Sequence, residues 1–314
     1  MYKRKIEEVL KNWKQTPNHK PIVIKGVRQC GKTSSVMDFA EKNYRHVVYL
    51  DFREHPEYRN FFIPNLDIPS IILRISATMP DVEIEAKETC FVFDEIQDCP
   101  RARGALKYFY LDGNYDVMCT GSLLGVNGYK TKEELQDESE ASIPVGFEQI
   151  ENMYPMDFEE WLWANNIKPI HLTYLRKCFD EELPVDEAIH QRMRELLHLY
   201  AIVGGMPEAV STFLATNQIG TLLQVQRRIV DEYKSDMIKY ALPTDKSKIR
   251  ECFESIPSQL AKEYKKFQFS KIRPNARGKE FAGSIQWIED AGIIQRCYNI
   301  QATELPLDGN RISN

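Results

Sequence analysis

No stretch of the 314 residues approaches the roughly 18 consecutive apolar side chains that a membrane-spanning helix needs. The start, Met1-Tyr2-Lys3-Arg4-Lys5, leads into an amphipathic stretch rather than an apolar one, which argues against a secretory signal. An excess of basic charge is also missing. The formal net charge is −5, so contact with nucleic acid would have to come from a local patch. There are seven cysteines but no CxxC pair, and no Cys/His grouping at zinc-ligand spacing. Several cysteines sit in apolar runs, as small buried hydrophobes do. Reduced thiols of this kind fit a cytoplasmic protein, which is the expected location. Internal repeats and low-complexity linkers are absent too.

What is present is the composition of a globular chain, 43% hydrophobic and 28% charged, long enough for about two domains. Residues 1–14 carry Ile6, Val9, Leu10 and Trp13 at helical spacing. Pro21-Ile22-Val23-Ile24 is a short apolar run that ends in Lys25-Gly26, and a helical pattern follows from Ser34 to Asn43. Further strands are predicted over 46–52, 90–93 and 115–119, with a fifth over 147–153. Helical patterns near 68–79 and 106–110 separate them. Strands alternating with helices, mostly without polar alternation, imply an α/β fold with a parallel sheet covered on both faces. Residues 128–142 read as a solvated acidic loop.

From Asp157 the period becomes helical, with helices led by Phe158, over Ala188 to Tyr200, and over Leu222 to Tyr240. The last segment reads as helices over 249–264, from Ser270 and over 280–291, then an alternating strand over 293–300. That order is winged-helix-like. The expected division is a nucleotide-binding domain over 1–155, a helical region over 156–245 and the winged-helix-like segment over 246–314.

Gly26-Val27-Arg28-Gln29-Cys30-Gly31-Lys32-Thr33 matches the phosphate-loop pattern G-x-x-x-x-G-K-[ST] in full. Glycines let the backbone turn so that N–H groups point at phosphates, and the helix that follows, through Ser34, adds its positive end. Lys32 is expected at the β- and γ-phosphates and the Thr33 hydroxyl at Mg2+. Phe91-Val92-Phe93-Asp94-Glu95 is an apolar strand ending in two acids. Asp94 would hold the metal and Glu95 would activate water as a general base. The strand ending Cys119-Thr120-Gly121-Ser122 offers a polar group to sense the γ-phosphate, Ser122 first and Thr120 second. A hydroxyl that only stabilises the turn is the alternative. Arg28, Arg101 and Arg103 are placed to reach the nucleotide of a neighbouring copy in a homo-oligomer, or are ordinary surface arginines.

Lys262 to Lys279 holds seven basic residues and one acid, Glu263, with Tyr264, Phe267 and Phe269 interleaved. The segment is a candidate DNA contact, and packing aromatics flanked by solvated lysines is the competing reading. His190 and His198 lack acidic partners at ligand spacing. Glu263-Tyr264-Lys265 lacks the preceding Asp of a nuclease site.

With these residues placed, the chain resembles a prokaryotic family of AAA+-type ATPases that carry a C-terminal domain of unknown function. The likeness rests on Gly26 to Thr33, Phe93-Asp94-Glu95-Ile96-Gln97, Thr120-Gly121-Ser122, Tyr154-Pro155-Met156-Asp157-Phe158-Glu159-Glu160 and Gly204-Gly205-Met206-Pro207-Glu208. It implies a five-stranded parallel sheet of order 5-1-4-3-2, with ATP and Mg2+ as ligands. The adenine base comes from the likeness alone, because the motifs accept GTP equally. The family continues into a domain resembling a restriction endonuclease, expected to begin near Asn314, so no nuclease role is carried over. Three functions compete: an ATPase switch, a nucleotide-gated DNA-binding module, and a regulator that binds a protein partner, which the acidic balance and the Trp161–Trp163 region fit, although core packing also accounts for both tryptophans.

Overall fold

A computed structural model describes residues 2–123, 146–241, 244–263 and 266–312. The acidic stretch 128–142, Tyr264 and Lys265 lie outside the described residues. The chain divides into two compact units, Met1–Asp236 and Met237–Asn314.

The first unit is built on five parallel strands in the order β2-β3-β4-β1-β5. They are β1 (Ile22–Gly26), β2 (His46–Asp51), β3 (Thr89–Asp94), β4 (Asp116–Ser122) and β5 (Gln149–Met153). Read from the other edge, this is the expected order 5-1-4-3-2. All six residues of β3 are buried. Alternation still operates on it. Phe91 and Phe93 face one core with Val23, Leu50 and Phe109, while Cys90 and Val92 face the other with Ile22, Ile24 and Trp13. Both faces of the sheet are therefore covered, which is why the strands read as continuous apolar runs.

Among the described residues four helices flank the sheet: α1 (Ile6–Gln15), α2 (Lys32–Asn43), α3 (Ile68–Thr78) and α4 (Pro100–Asp112). Ile6, Leu10 and Trp13 form the buried stripe of α1. Asp67 caps α3 by accepting from the Ser70 N–H, and Gly113 at φ 65° ends α4.

Beyond β5 come α5 (Phe158–Ala164), α6 (Pro169–Asp180), α7 (Glu187–Val203), α8 (Pro207–Thr216) and α9 (Ile219–Tyr240). They enclose a third core around Met156, Trp161, Leu196, Val210 and Leu222. Trp161 is fully buried, so it is core rather than a partner-binding surface. The expected helices include no counterpart of α6. Only Cys178 of its residues is fully buried, although Leu172, Leu175 and Cys178 do recur at helical spacing and Leu172 packs on this core.

In the second unit α10 (Lys246–Leu260) packs on α11 (Gly278–Asp290), and Ile249, Cys252, Phe281, Ile285 and Ile288 on these helices are buried. Two expectations are corrected here. The helix expected from Ser270 is one 3₁₀ turn, Phe269–Lys271, cut short by Pro274, which disfavours helix in the residue before it. The strand expected over 293–300 is reduced to a single antiparallel bridge, Ile300 to Arg311. Arg296 turns back to Glu289 and Gln286 instead of lying beside another strand. No helix among the described residues is long and apolar enough to cross a membrane.

Candidate nucleotide-binding site

The phosphate loop leaves β1 at Gly26, where three strands meet. Register places Gly26 beside Ser122 of β4 and Met153 of β5. A Cβ on Gly26 would come within 2.2 Å of the Met153 carbonyl oxygen, so only glycine fits. The loop then turns through Gln29 at φ 60° and Gly31 at φ 96°, both in the left-handed region. Cys30 between them is buried, and burial pushes its thiol up. Lys32 opens α2. Its ammonium, on a residue only 7% exposed, donates to the carbonyls of Gly26 at 3.2 Å and Val27 at 2.9 Å.

The acidic end of β3 lies directly across from the loop. The Thr33 hydroxyl donates to both oxygens of Asp94, at 3.1 and 3.0 Å. Two more hydroxyls converge on the same carboxylate, Thr120 from β4 and Tyr49 from β2, the latter at 2.8 Å. Burial, then the neighbouring Asp94, raises the Tyr49 phenol far above its usual range, so it stays a donor. The motif thus closes in space: residues 61 positions apart share a hydrogen bond.

Glu95 follows at φ 52° and immediately precedes the turn Ile96–Asp98. Its carboxylate is ion-paired with Arg53 at 2.9 Å and accepts from the Gln97 amide. Arg53 also bonds Asp98, at 2.9 Å. Sequence reasoning misses Tyr49 and Arg53. The signal that could have found them is strand order: β2 runs parallel to β3 with Asp51 opposite Asp94, so polar residues at its end must border the acidic pair.

Thr120 and Ser122 separate in role. Thr120 is turned to Asp94, whereas Ser122, 7% exposed, sits opposite Gly26 at the start of the loop. Arg101 and Arg103 are both engaged within the chain. Arg101 donates to the carbonyls of Phe62 and Pro64, both at 2.8 Å. Arg103 forms a buried ion pair with Glu148 at 2.6 Å. Arg28 lies in the loop itself, partly exposed.

Thr33 and Asp94 offer a hydroxyl and a carboxylate, hard oxygen donors of the kind magnesium accepts alongside phosphate oxygens and water. The donor set fits that ion. Among the described residues no group of three or more His, Cys, Asp or Glu forms a metal cluster.

The two segments most particular to the resemblance form the support. Asp157 and Glu160 make a capping box at the start of α5. Glu160 also accepts from the Lys5 N–H at 2.6 Å and pairs with Arg4 at 3.2 Å, the Arg4 and Glu160 side chains being almost wholly buried. Gly205 meets Met156 backbone to backbone; a Cβ there would lie 2.0 Å from the Met156 oxygen. The Met156 N–H donates to the Gly205 carbonyl at 2.7 Å. Pro207 packs beside Gly31.

Residues 18–162 match a family model described as an AAA domain, and residues 194–313 match a domain of unknown function. No curated protein matches the chain. Among solved structures, the Walker-type ATPase PABY2304 of Pyrococcus abyssi aligns at 14% identity, covering 93% of this chain and 90% of that one, with a TM-score of 0.49. AMPPCP-bound DnaA from Aquifex aeolicus aligns at 12% over 91% of this chain and 87% of its own, TM-score 0.35. The Aeropyrum pernix ORC1 protein in complex with DNA aligns at 12% over 96% and 84%, TM-score 0.33. Residues 18–162, which match the AAA domain model, thus hold a phosphate loop closed against an acidic strand end on a five-stranded parallel sheet of the P-loop fold, and residues 194–313 match a domain of unknown function.

Proposed function

We propose that the chain binds ATP with magnesium and hydrolyses it, and that this cycle switches the arrangement of its domains. The observation that carries the reading is the meeting of Thr33 with Asp94 at 3.0–3.1 Å, with Glu95 next in the chain. Lys32 neutralises the β- and γ-phosphates. Thr33 and Asp94 supply oxygens to magnesium, and Thr120 and Tyr49 hold the Asp94 carboxylate in place. When bound, the ion neutralises charge that builds up on the phosphate oxygens. Glu95 takes the proton of the attacking water, and Ser122, beside the first glycine of the loop, responds to the γ-phosphate.

The test is hydrolysis by purified protein with and without magnesium, beside Glu95→Gln. Loss of the base should cut turnover by about 100-fold or more while ATP stays bound. Unchanged turnover in Glu95→Gln would remove Glu95 from the role. Lys32→Ala should lose binding itself.

A second reading, a nucleotide-gated DNA-binding module, rests on the basic segment 262–279. Lys262, Lys271, Arg277 and Lys279 border solvent there, while Arg273 is tied to Glu251 and Glu280. Phe267 and Phe269 pack edge to face at 5.4 Å, as the packing alternative expects. Charge reversal at Lys271 and Lys279 should weaken DNA binding and flatten its salt dependence. Absence of DNA binding by the wild type at low salt would reject this reading.

A further inference from the structure

Two hydrogen bonds reach the phosphate loop from outside it, and each lands on a backbone carbonyl. Arg4 Nη1 donates to Cys30 at 2.7 Å, and the Tyr233 hydroxyl donates to Arg28 at 3.0 Å. The donors lie 26 and 205 residues from their acceptors, one ahead of α1 and the other on α9. Both belong to the first unit.

A trans peptide is planar, so fixing the direction of a carbonyl fixes the N–H of the next residue on the opposite side. Arg4 thereby sets the N–H of Gly31, and Tyr233 sets that of Gln29. These are the two loop residues with positive φ; glycine adopts it freely, whereas at Gln29 it is a sparsely populated conformation that persists only when neighbours over-determine it. Successive N–H groups in such a run form the concave nest that receives an anion.

The anchors are themselves held. Arg4 is 5% exposed, donates again to the Tyr154 carbonyl at 2.6 Å and is ion-paired with Glu160. Tyr233 packs against the core that contains Ile24, Val27 and Cys30. Glu232, one residue before it, accepts from the Gln29 side-chain amide.

We propose that Arg4 and Tyr233 are positioning residues for the nucleotide's phosphates. They hold the 28–29 and 30–31 peptides so that the Gln29 and Gly31 N–H groups face the phosphates. The inference rests on reading residues 26–33 as the nucleotide site.

Calorimetric titration of the full chain with magnesium ATP and with magnesium tripolyphosphate, a probe lacking base and sugar, tests it. Tyr233→Phe removes one hydroxyl and should weaken both ligands about 3–10-fold. The nucleotide-free melting temperature should shift by no more than about 2 °C. Arg4→Lys keeps the charge facing Glu160 but not the fork that spans two carbonyls, and should weaken both by about 10-fold. In turnover the change should fall on KM, with kcat within about twofold. Unchanged affinity in Tyr233→Phe overturns the inference. A loss seen with ATP but not with tripolyphosphate also overturns it, because the effect would then lie at the base or sugar. Lys32→Ala separates the two levels. If the wild type binds and Lys32→Ala does not, the site stands whatever the anchors do. If the wild type binds neither ligand, the site reading falls and this inference with it.

Discussion

The two sides of the phosphate loop are built differently. The side that meets the acids is made of residues adjacent in the sequence, Lys32 with Thr33 and Asp94 with Glu95, brought together by one hydrogen-bonded contact. The opposite side is made of single residues drawn from far apart: Arg4, Met153, Tyr154, Glu160 and Tyr233. Chemistry needs a few groups at fixed short range, which a compact motif delivers. Support needs only that something buried press on the loop, and any part of the chain that folds back can do so. The reacting side should therefore respond to substitution in turnover, and the supporting side in stability and affinity.

Glu160→Ala should break this division most severely on the supporting side. It leaves the Arg4 guanidinium buried without its counter-ion and removes the α5 capping box. A loss of about 3–5 kcal/mol in unfolding free energy is expected from denaturant titration. A loss below ~1 kcal/mol would mean that Arg4 finds water or another acceptor.

Asp94→Asn tests the reacting side. Hydrolysis should fall by about 100-fold or more, with the melting temperature nearly kept, because the amide oxygen still accepts from Thr33 and Thr120 while the Tyr49 hydroxyl can turn to accept from the new NH2 group. A large drop in stability with modest loss of turnover would reverse the assignment of sides.

Arg53→Ala should have a smaller effect of opposite sign. The Arg53 guanidinium holds the Glu95 carboxylate at 2.9 Å, and freeing it should raise kcat by up to about fivefold with KM unchanged. A fall in kcat would recast Arg53 as a group that orients Glu95 productively.

The smallest effect lies away from the site altogether. His19 bridges Asp116 at 3.0 Å and the Thr16 carbonyl at 2.9 Å, two acceptors that both require an N–H. Burial lowers its basicity, but the bonds to Asp116 and Thr16 outweigh that and leave it raised above 6.5. A raised folded value stabilises below the unfolded value and is lost as pH rises through the folded one. Stability should therefore fall by about 1 kcal/mol or less from roughly pH 6.5 upward, and His19→Gln should flatten that slope. An unchanged slope would mean that the imidazole is already neutral in the folded chain.

Much of the first unit is legible in the sequence because the central strands β1, β3 and β4 had to be apolar on both faces and each motif is contiguous. Gly26 to Thr33 and Asp94-Glu95 name their own chemistry, and the strand order follows from the family likeness. Tyr49, Arg53, Arg4 and Tyr233 are not legible, because hydrogen bonds across strands and between distant segments leave no local spacing to detect. The capping box Asp157 to Glu160 does leave a pattern, but nothing local marks Glu160 as the partner of Arg4. In the second unit, alternation over 293–300 predicts a strand, and alternation alone cannot provide the neighbour a strand needs.

That a phosphate loop and an acidic strand end exist, and which atoms they offer, follows from residue identity alone, because glycine conformation, lysine charge and carboxylate chemistry are properties of residues. It took the folded chain to bring Thr33, Thr120 and Tyr49 onto one carboxylate, to pair Glu95 with Arg53, and to set Arg4 and Tyr233 against the loop from behind. Those are properties of distance, and distance between residues far apart in the chain is set by how the sheet orders its strands and how the helices close over it.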